Sequence, residues 1–270
     1  MSRSKKLEHR VIGRFNFEVF VMLKKPLVII CIIMGCICSC SNPSSPEGET
    51  PSQVSKEEID VPSLHSKTGK TDTLNQLYRR LLVIGDSLSA AYGIAPQEGW
   101  VHLLEQRLHE TGAKYQIINT SISGDTTSGG HNRLAKILQQ YQPSIVILEL
   151  GANDGLRGLS LKAMRANLAA MIKQSQQAGA RVLLLGMRIP PNYGKTYTTQ
   201  FHQIYHDLAA TYDIALVPFF LEGVAGNRAL MQDDGIHPTA AAQERLLDNV
   251  WGVLTKEANN FVKSKQDLPG

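Results

Sequence analysis

From Tyr78 onward, short runs of Val, Ile and Leu without alternation are separated by longer segments whose apolar residues recur every three or four positions. The runs are LLVIG from 81, YQIIN from 115, SIVILEL from 144, RVLLLGM from 181 and IALVPF from 214. Uninterrupted apolar runs of this length suit strands buried on both faces, as in a parallel sheet. Between them WVHLLEQRLHE, HNRLAKILQQY and LKAMRANLAAMIKQSQQAG carry a helical period, the last stopped by Gly179. Strands that alternate with helices of this size need right-handed crossovers. The predicted fold class is therefore α/β, a three-layer α/β/α sandwich around a parallel sheet of roughly five strands. A last helix over about residues 239–261 closes the domain.

Before residue 77 the pattern changes. From Met22 the chain reads MLKKPLVIICIIMGCICSCSN: two lysines, an apolar stretch from Pro26 to Ile37, then small residues. That is the layout of a secretory signal peptide, and the stretch is short of the ~20 residues that a spanning helix needs. Residues 1–40 are read as this signal, with Met22 as an alternative start. The segment also resembles the bacterial lipoprotein signal, in which a small residue precedes a cysteine that is acylated. Cys40, after Ser39, is the predicted lipidation site; Cys36, after Gly35, is the alternative, because both have Ile where the signal usually has Leu. Ser41 suggests sorting to the outer membrane, and simple cleavage with release is the competing outcome. Residues 41–76 are rich in Ser, Pro, Glu and Lys and read as a flexible tether. The folded domain is placed at 77–262 and a tail at 263–270.

Composition narrows the chemistry. The net charge of +4 is misleading, since residues 1–40 hold seven Lys/Arg against two Glu and leave 41–270 at −1. A near-neutral body has no electrostatic footprint for a polyphosphate, so no nucleic-acid partner is expected. All four cysteines fall between 31 and 40. The folded body thus has no disulfide framework, no thiol nucleophile and no cysteine ligands for zinc.

Every unusual polar cluster follows a strand, where open α/β sheets bind their ligands. Gly85-Asp86-Ser87 follows the first strand, Ser123-Gly124-Asp125 the second and Gly151-Ala152-Asn153-Asp154 the third. Asp234-Gly235-Ile236-His237 lies between the fifth strand and the final helix. Acyl hydrolysis needs a nucleophile, a base, a group that orients the base and donors for the oxyanion. Ser87 is the candidate nucleophile, His237 the base and Asp234, one turn earlier, its partner. The oxyanion donors would be the backbone N–H groups of Ser87 and Gly124 and the Asn153 side-chain amide. Activity should then rise as His237 loses its proton.

The blocks GDSL at 85, Gly124, GAND at 151 and DGIH at 234 resemble, in order and spacing, the GDSL or SGNH hydrolase superfamily. The resemblance runs from about Arg80 to Val253 and implies a flavodoxin-like fold, with Ser87, Gly124, Asn153 and His237 as the four name-giving residues. The strings NTSISGDTT, ELGANDGLRG, PPNYG and MQDDGIHP are most similar to the bacterial periplasmic thioesterase/lysophospholipase/arylesterase group. Ala152 departs from the Gly common there. The resemblance also implies a mobile loop over Gly155–Ser160 beside the acyl groove. The serine is not in the G-x-S-x-G elbow of α/β-hydrolases.

The expected activity is hydrolysis of esters and thioesters with apolar acyl chains, with no cofactor and no metal. The competing readings are an O-acetyl esterase of envelope polysaccharide and a non-catalytic acyl- or glycan-binding lipoprotein. The expected partner is a small acyl ester or thioester, with the membrane reached through the lipid anchor alone and the chain monomeric. The expected location is the periplasmic cell envelope. Asp86, Asp125 and Asp154 read as acceptors for local backbone, Asp233 as a rival to Asp234, and His131 as an exposed loop residue. His202 and His206 have a metal-compatible spacing but lack the Glu of a zinc protease between them. Leu156, Met187, Ile189, Phe219 and Phe220 fit an acyl pocket or plain core equally well.

Overall fold

The computed structural model describes residues 78–266, with side chains through residue 258. The signal, lipidation and tether assignments therefore lie outside the described residues. Five strands form one all-parallel sheet: β1 (Arg79–Gly85), β2 (Tyr115–Asn119), β3 (Ile145–Glu149), β4 (Arg181–Leu185) and β5 (Ala215–Val217). The spatial order is β2-β1-β3-β4-β5. All five are where the apolar runs predicted them. β3 is buried along its whole length, whereas the edge strands β2 and β5 are half-buried, which in β2 matches a more mixed composition.

The helices are α1 (Trp100–Glu110), α2 (Thr127–Tyr141), α3 (Ala152–Leu156), α4 (Leu161–Gln177), α5 (Lys195–Tyr212) and α6 (Gln243–Gln266). α1 packs with α6, while α2, α4 and α5 pack in series, and these two layers cover the sheet. Polar caps mark the starts: Thr126 and Ser160 accept from the Gly129 and Ala163 N–H groups. α4 stops at Ala178, and Gly179 follows in the left-handed region at φ +81°.

Three elements differ from the sequence reading. The final helix starts at Gln243 rather than 239, behind a 3-10 turn over Ala240–Ala242. Gln243 is itself buried, donating to Thr239 O and accepting from Trp100 N–H, an orphan donor of α1. α2 begins four residues before the predicted segment, at Thr127, which puts His131 inside a helix. α3, a five-residue helix, is too short to leave a periodic signal.

Trp100, Phe201, Tyr205 and Phe220 are the largest fully buried side chains and fill the space between sheet and helices. Truncating a core leucine such as Leu148 to alanine should cost about 2–5 kcal/mol. Among the described residues no helix is long and apolar enough to cross a membrane.

The sheet order reverses direction between β1 and β3, which are neighbours although β2 intervenes in sequence. Gly85 at the end of β1 pairs with Glu149 at the end of β3. The Ser87 turn and the Asn153 helix therefore leave the sheet side by side, at the topological switch point where such folds place their ligands.

Candidate active site

The turn carrying Ser87 is held from below by a buried carboxyl. Glu149 Oε2 accepts from the Asp86 N–H at 3.2 Å and the Ser89 hydroxyl at 2.8 Å, and Trp100 Nε1 donates to Ser89 Oγ at 3.2 Å. A Cβ on Gly85 would lie 2.6 Å from Glu149 Oε2, so β1 must end in glycine for the turn to pass this close. The Leu88 N–H donates to Asp86 Oδ1, and the Ala90 N–H to Asp86 O, which winds the chain into a turn with Ser87 at its start.

Asp86 and Glu149 are both buried. Burial pushes each carboxyl above the ordinary carboxylate range, and the neighbouring Asp86 charge pushes Glu149 up further. Two such groups side by side disfavour the state in which both are ionised. Glu149 Oε1 is buried with no hydrogen-bond partner among the described residues, as fits a neutral carboxyl more than an ionised one.

His237 arrives from the segment before α6. Asp234 Oδ1 accepts from the backbone N–H groups of Ile236 at 2.9 Å and His237 at 3.0 Å, closing a tight turn. Its Oδ2 lies 2.6 Å from His237 Nδ1, and His237 Nε2 lies 2.9 Å from Ser87 Oγ. The His237 side-chain hydrogen bond, then the two backbone ones, hold the Asp234 carboxyl down at about 2. With an ionised carboxylate accepting at Nδ1–H, the Nε2 lone pair is left facing the Ser87 hydroxyl. The carboxylate bonded to the imidazole is Asp234 and not its neighbour Asp233. Tyr92 covers the imidazole, with ring centroids 4.5 Å apart.

Asn153 sits on α3 beyond Gly151, where φ is +116° and an added Cβ would lie 2.3 Å from the Tyr205 hydroxyl, so no side chain fits. Asn153 Nδ2 donates to Asp86 Oδ2 at 3.1 Å. Its Oδ1 accepts from Arg157 Nη2 at 3.2 Å, and the same nitrogen donates to Gly124 O at 2.9 Å. Ser87, Asn153, Gly124, Asp234 and His237 are thus brought together from four parts of the sequence.

The aspartates beside the motifs do more than hold local backbone. Asp86 also takes the Asn153 amide, Asp125 pairs with Arg133 at 2.8 Å, and Asp154 accepts from the Thr127 N–H and hydroxyl, 27 residues away. His131 is not in a loop: it is half-buried on α2, 3.4 Å from Gln174 Nε2. His202 and His206 contact each other at 3.2 Å, and His202 Nδ1 meets Met187 O. No group of three or more His, Cys, Asp or Glu among the described residues could hold a metal ion. Met187, Ile189 and Phe220 belong to the core, while Phe219 and Leu156 are half-buried. The 155–160 segment is tied down by Tyr193 and Tyr197, whose hydroxyls donate to Leu156 O and Leu159 O.

Glu149, Arg157 and Gln232 are polar partners of this site that the sequence reading passed over. Glu149 had a signal, a lone carboxylate inside the apolar run SIVILEL. Arg157 stands four residues after Asn153, one helical turn on, and Gln232 had no signal.

Residues 83–245, more than half of the chain, match the profile of the GDSL-like Lipase/Acylhydrolase family. The chain is 52% identical over 174 residues to Esterase TesA of Pseudomonas aeruginosa, covering 64% of this chain and 87% of that protein. It is 42% identical over 168 residues to thioesterase 1/protease 1/lysophospholipase L1 of Escherichia coli strain K12, covering 62% and 79%. Among solved structures it is similar to the psychrotrophic esterase EstA from Pseudoalteromonas, inhibited by monoethylphosphonate. That match has a TM-score of 0.65 and 41% identity, covering 67% of this chain and 99% of that one. With the four motif blocks meeting at one sheet edge, the chain belongs to the GDSL-like lipase/acylhydrolase family.

Proposed function

We propose that this protein hydrolyses carboxylic esters and thioesters of apolar acyl chains through an acyl-enzyme on Ser87. The observation that carries the reading is the hydrogen-bonded series Asp234–His237–Ser87, at 2.6 and 2.9 Å. Ser87 Oγ attacks the acyl carbonyl carbon while His237 Nε2 takes the hydroxyl proton. The carbonyl oxygen becomes an oxyanion held by the N–H groups of Ser87 and Gly124 and by Asn153 Nδ2. Asn153 donates one N–H to Asp86, which leaves the other free for this task. His237 then gives its proton to the departing alkoxide or thiolate. Water attacks the acyl-enzyme in the second half, with His237 again taking the proton, and the carboxylic acid leaves.

The preference for apolar chains is supported by the names of the relatives and by large apolar residues left exposed near the motif blocks: Tyr92, Ile122, Leu159 and Ile236. The lipid-anchored envelope location rests on the sequence around Cys40. The protein acts as a monomer, since no residue of the triad or of its oxyanion donors has to come from a second chain.

The test is hydrolysis of p-nitrophenyl esters of increasing acyl length, and of acyl thioesters, by the full chain with Ser87→Ala as control. Turnover that depends on Ser87 and peaks at medium or long chains supports the reading. Activity confined to acetate moves the assignment to the O-acetyl esterase. Ester turnover unchanged in Ser87→Ala overturns the serine mechanism.

A further inference from the structure

We propose that Arg157 is the positioning residue of the oxyanion hole: one guanidinium nitrogen fixes both the Asn153 amide and the Gly124 peptide. The inference rests on the acyl-enzyme reading above and adds to it a residue that touches neither the acyl group nor the triad.

Arg157 Nη2 donates to Asn153 Oδ1 at 3.2 Å and to Gly124 O at 2.9 Å. Gly124 and Asn153 are 29 positions apart in sequence, on the segments that follow β2 and β3. β2 and β3 are related only through β1, and Thr127 ties the two following segments at Asp154. The Arg157 guanidinium is what joins Gly124 and Asn153 themselves.

An amide side chain has two nearly isosteric orientations, and only one presents N–H to the oxyanion. In the observed orientation Oδ1 faces the cation and Nδ2 faces the Asp86 carboxyl. A flipped amide would aim its N–H groups at a guanidinium, which only donates. Burial raises the Asp86 carboxyl to about 6, so on the acid side of that value Asp86 alone is a poor guard against the flip: once protonated it donates as well as accepts. Arg157 cannot lose its charge, so its hold is independent of pH.

Both bonds come from a single nitrogen, so a lysine ammonium that reaches the same point could replace them. Arg157 is exposed, and its removal should leave the fold intact.

The experiment compares Arg157→Met and Arg157→Lys in the full chain, each alone and combined with Asn153→Ala, with Ser87→Ala as the control for the chemistry. The expected result for Arg157→Met is a kcat loss of about 10- to 100-fold, part of what losing an oxyanion donor costs. KM stays within about twofold, since a group acting only on the transition state leaves ground-state binding alone. Arg157→Lys recovers at least part of the loss. In the Asn153→Ala background the Arg157→Met penalty shrinks several-fold, because the amide it orients is gone. The pH profile also separates the roles: the methionine variant loses more activity on the acid side, where Asp86 takes a proton. An equal penalty in both backgrounds overturns the proposal in favour of a general structural role. A raised KM with kcat unchanged overturns it in favour of substrate binding by the guanidinium. If Ser87→Ala retains full turnover, the serine reading itself fails; if it is dead and Arg157→Met is fully active, only the present inference does.

Discussion

Glu149 Oε2, at the end of β3, accepts from the backbone N–H of Asp86, so a carboxyl on one strand holds the turn that carries the nucleophile on its neighbour. The Ser89 hydroxyl donates to the same oxygen. Ser87 therefore owes its place to a group that touches no substrate.

Glu149 should leave a signature in the pH dependence of stability. Burial raises its carboxyl above the ordinary range, so the folded chain keeps a proton that the unfolded chain releases. In the window between the unfolded and the folded value, stability falls as pH rises. Glu149→Gln, which mimics the protonated group, should remove that slope: as pH rises above the ordinary carboxylate range the native chain loses more thermal midpoint than the variant. Glu149→Ala leaves the Asp86 N–H and Ser89 hydroxyl unpartnered above a cavity and should cost about 2–4 kcal/mol by denaturant unfolding. Parallel pH curves for the native chain and Glu149→Gln would show that Glu149 is ionised when folded.

Asp234 has the opposite sign. Its folded value is depressed to about 2, so its contribution to stability is present above the unfolded value and is lost as pH falls toward 2. Through ordinary assay pH it stays ionised, so it adds no limb of its own to the pH profile of kcat/KM. Asp234→Asn should lower kcat about 10³- to 10⁴-fold by spoiling the tautomer. Asp233→Asn should stay within about twofold of the native rate. Comparable losses in the two variants would mean that the carboxylates share the role.

The strands and most helices were legible because buried strands and amphipathic helices each impose a period on the apolar residues. SIVILEL could only be a buried strand, and Trp100–Glu110 could only be a helix with one apolar face. The grouping of Ser87, Asp234 and His237 was legible because the motif blocks mark these residues. The supports were not. Arg157 reaches Gly124 through a turn whose path depends on tertiary packing, and no local period encodes a contact across 33 positions. Thr127 lies before the segment whose period marked the helix, yet it starts α2 and gives its hydroxyl to Asp154. Such long-range polar pairs leave no mark in composition, since each partner alone is also a plausible surface residue.

On the proposed oxyanion role, in which the amide acts on the charge that develops at the carbonyl oxygen, Asn153→Ala should reduce kcat about 10²- to 10³-fold with little change in KM. Asn153→Asp should be no better: it turns the donor into a second carboxyl beside Asp86. Steady-state kinetics on one activated ester separates kcat from KM. Near-native turnover in the alanine variant would shift the burden to the Ser87 and Gly124 N–H groups.

The anchor reading of the first 40 residues has its own test. A diacylated Cys40 adds two apolar chains, enough for stable membrane attachment where one is marginal. Cys40→Ala should move the protein from the membrane fraction to the soluble periplasm, and the native amino-terminal peptide should carry the lipid mass. Retention of the native distribution in Cys40→Ala, with loss in Cys36→Ala, would place the modification at the earlier cysteine.

Gln232 ties the two halves of the triad. Its Nε2 donates to Tyr92 O at 2.8 Å, on the loop after Ser87, and to Pro238 O at 2.9 Å, beside His237, while its own N–H donates to His237 O at 2.7 Å. Gln232→Ala frees two carbonyls that water can reach, so global stability should fall by only about 1 kcal/mol. Misalignment of base and nucleophile should cost more, about 10-fold in kcat with KM nearly unchanged. Because the loops would part before the core melts, activity should fade on heating well below the unfolding midpoint in the variant and close to it in the native chain. Gln232→Glu should be worse than alanine, since an ionised carboxylate only accepts and would face two carbonyl oxygens. A glutamate variant as active as the native chain would mean that the serine and histidine loops hold their register without this side chain.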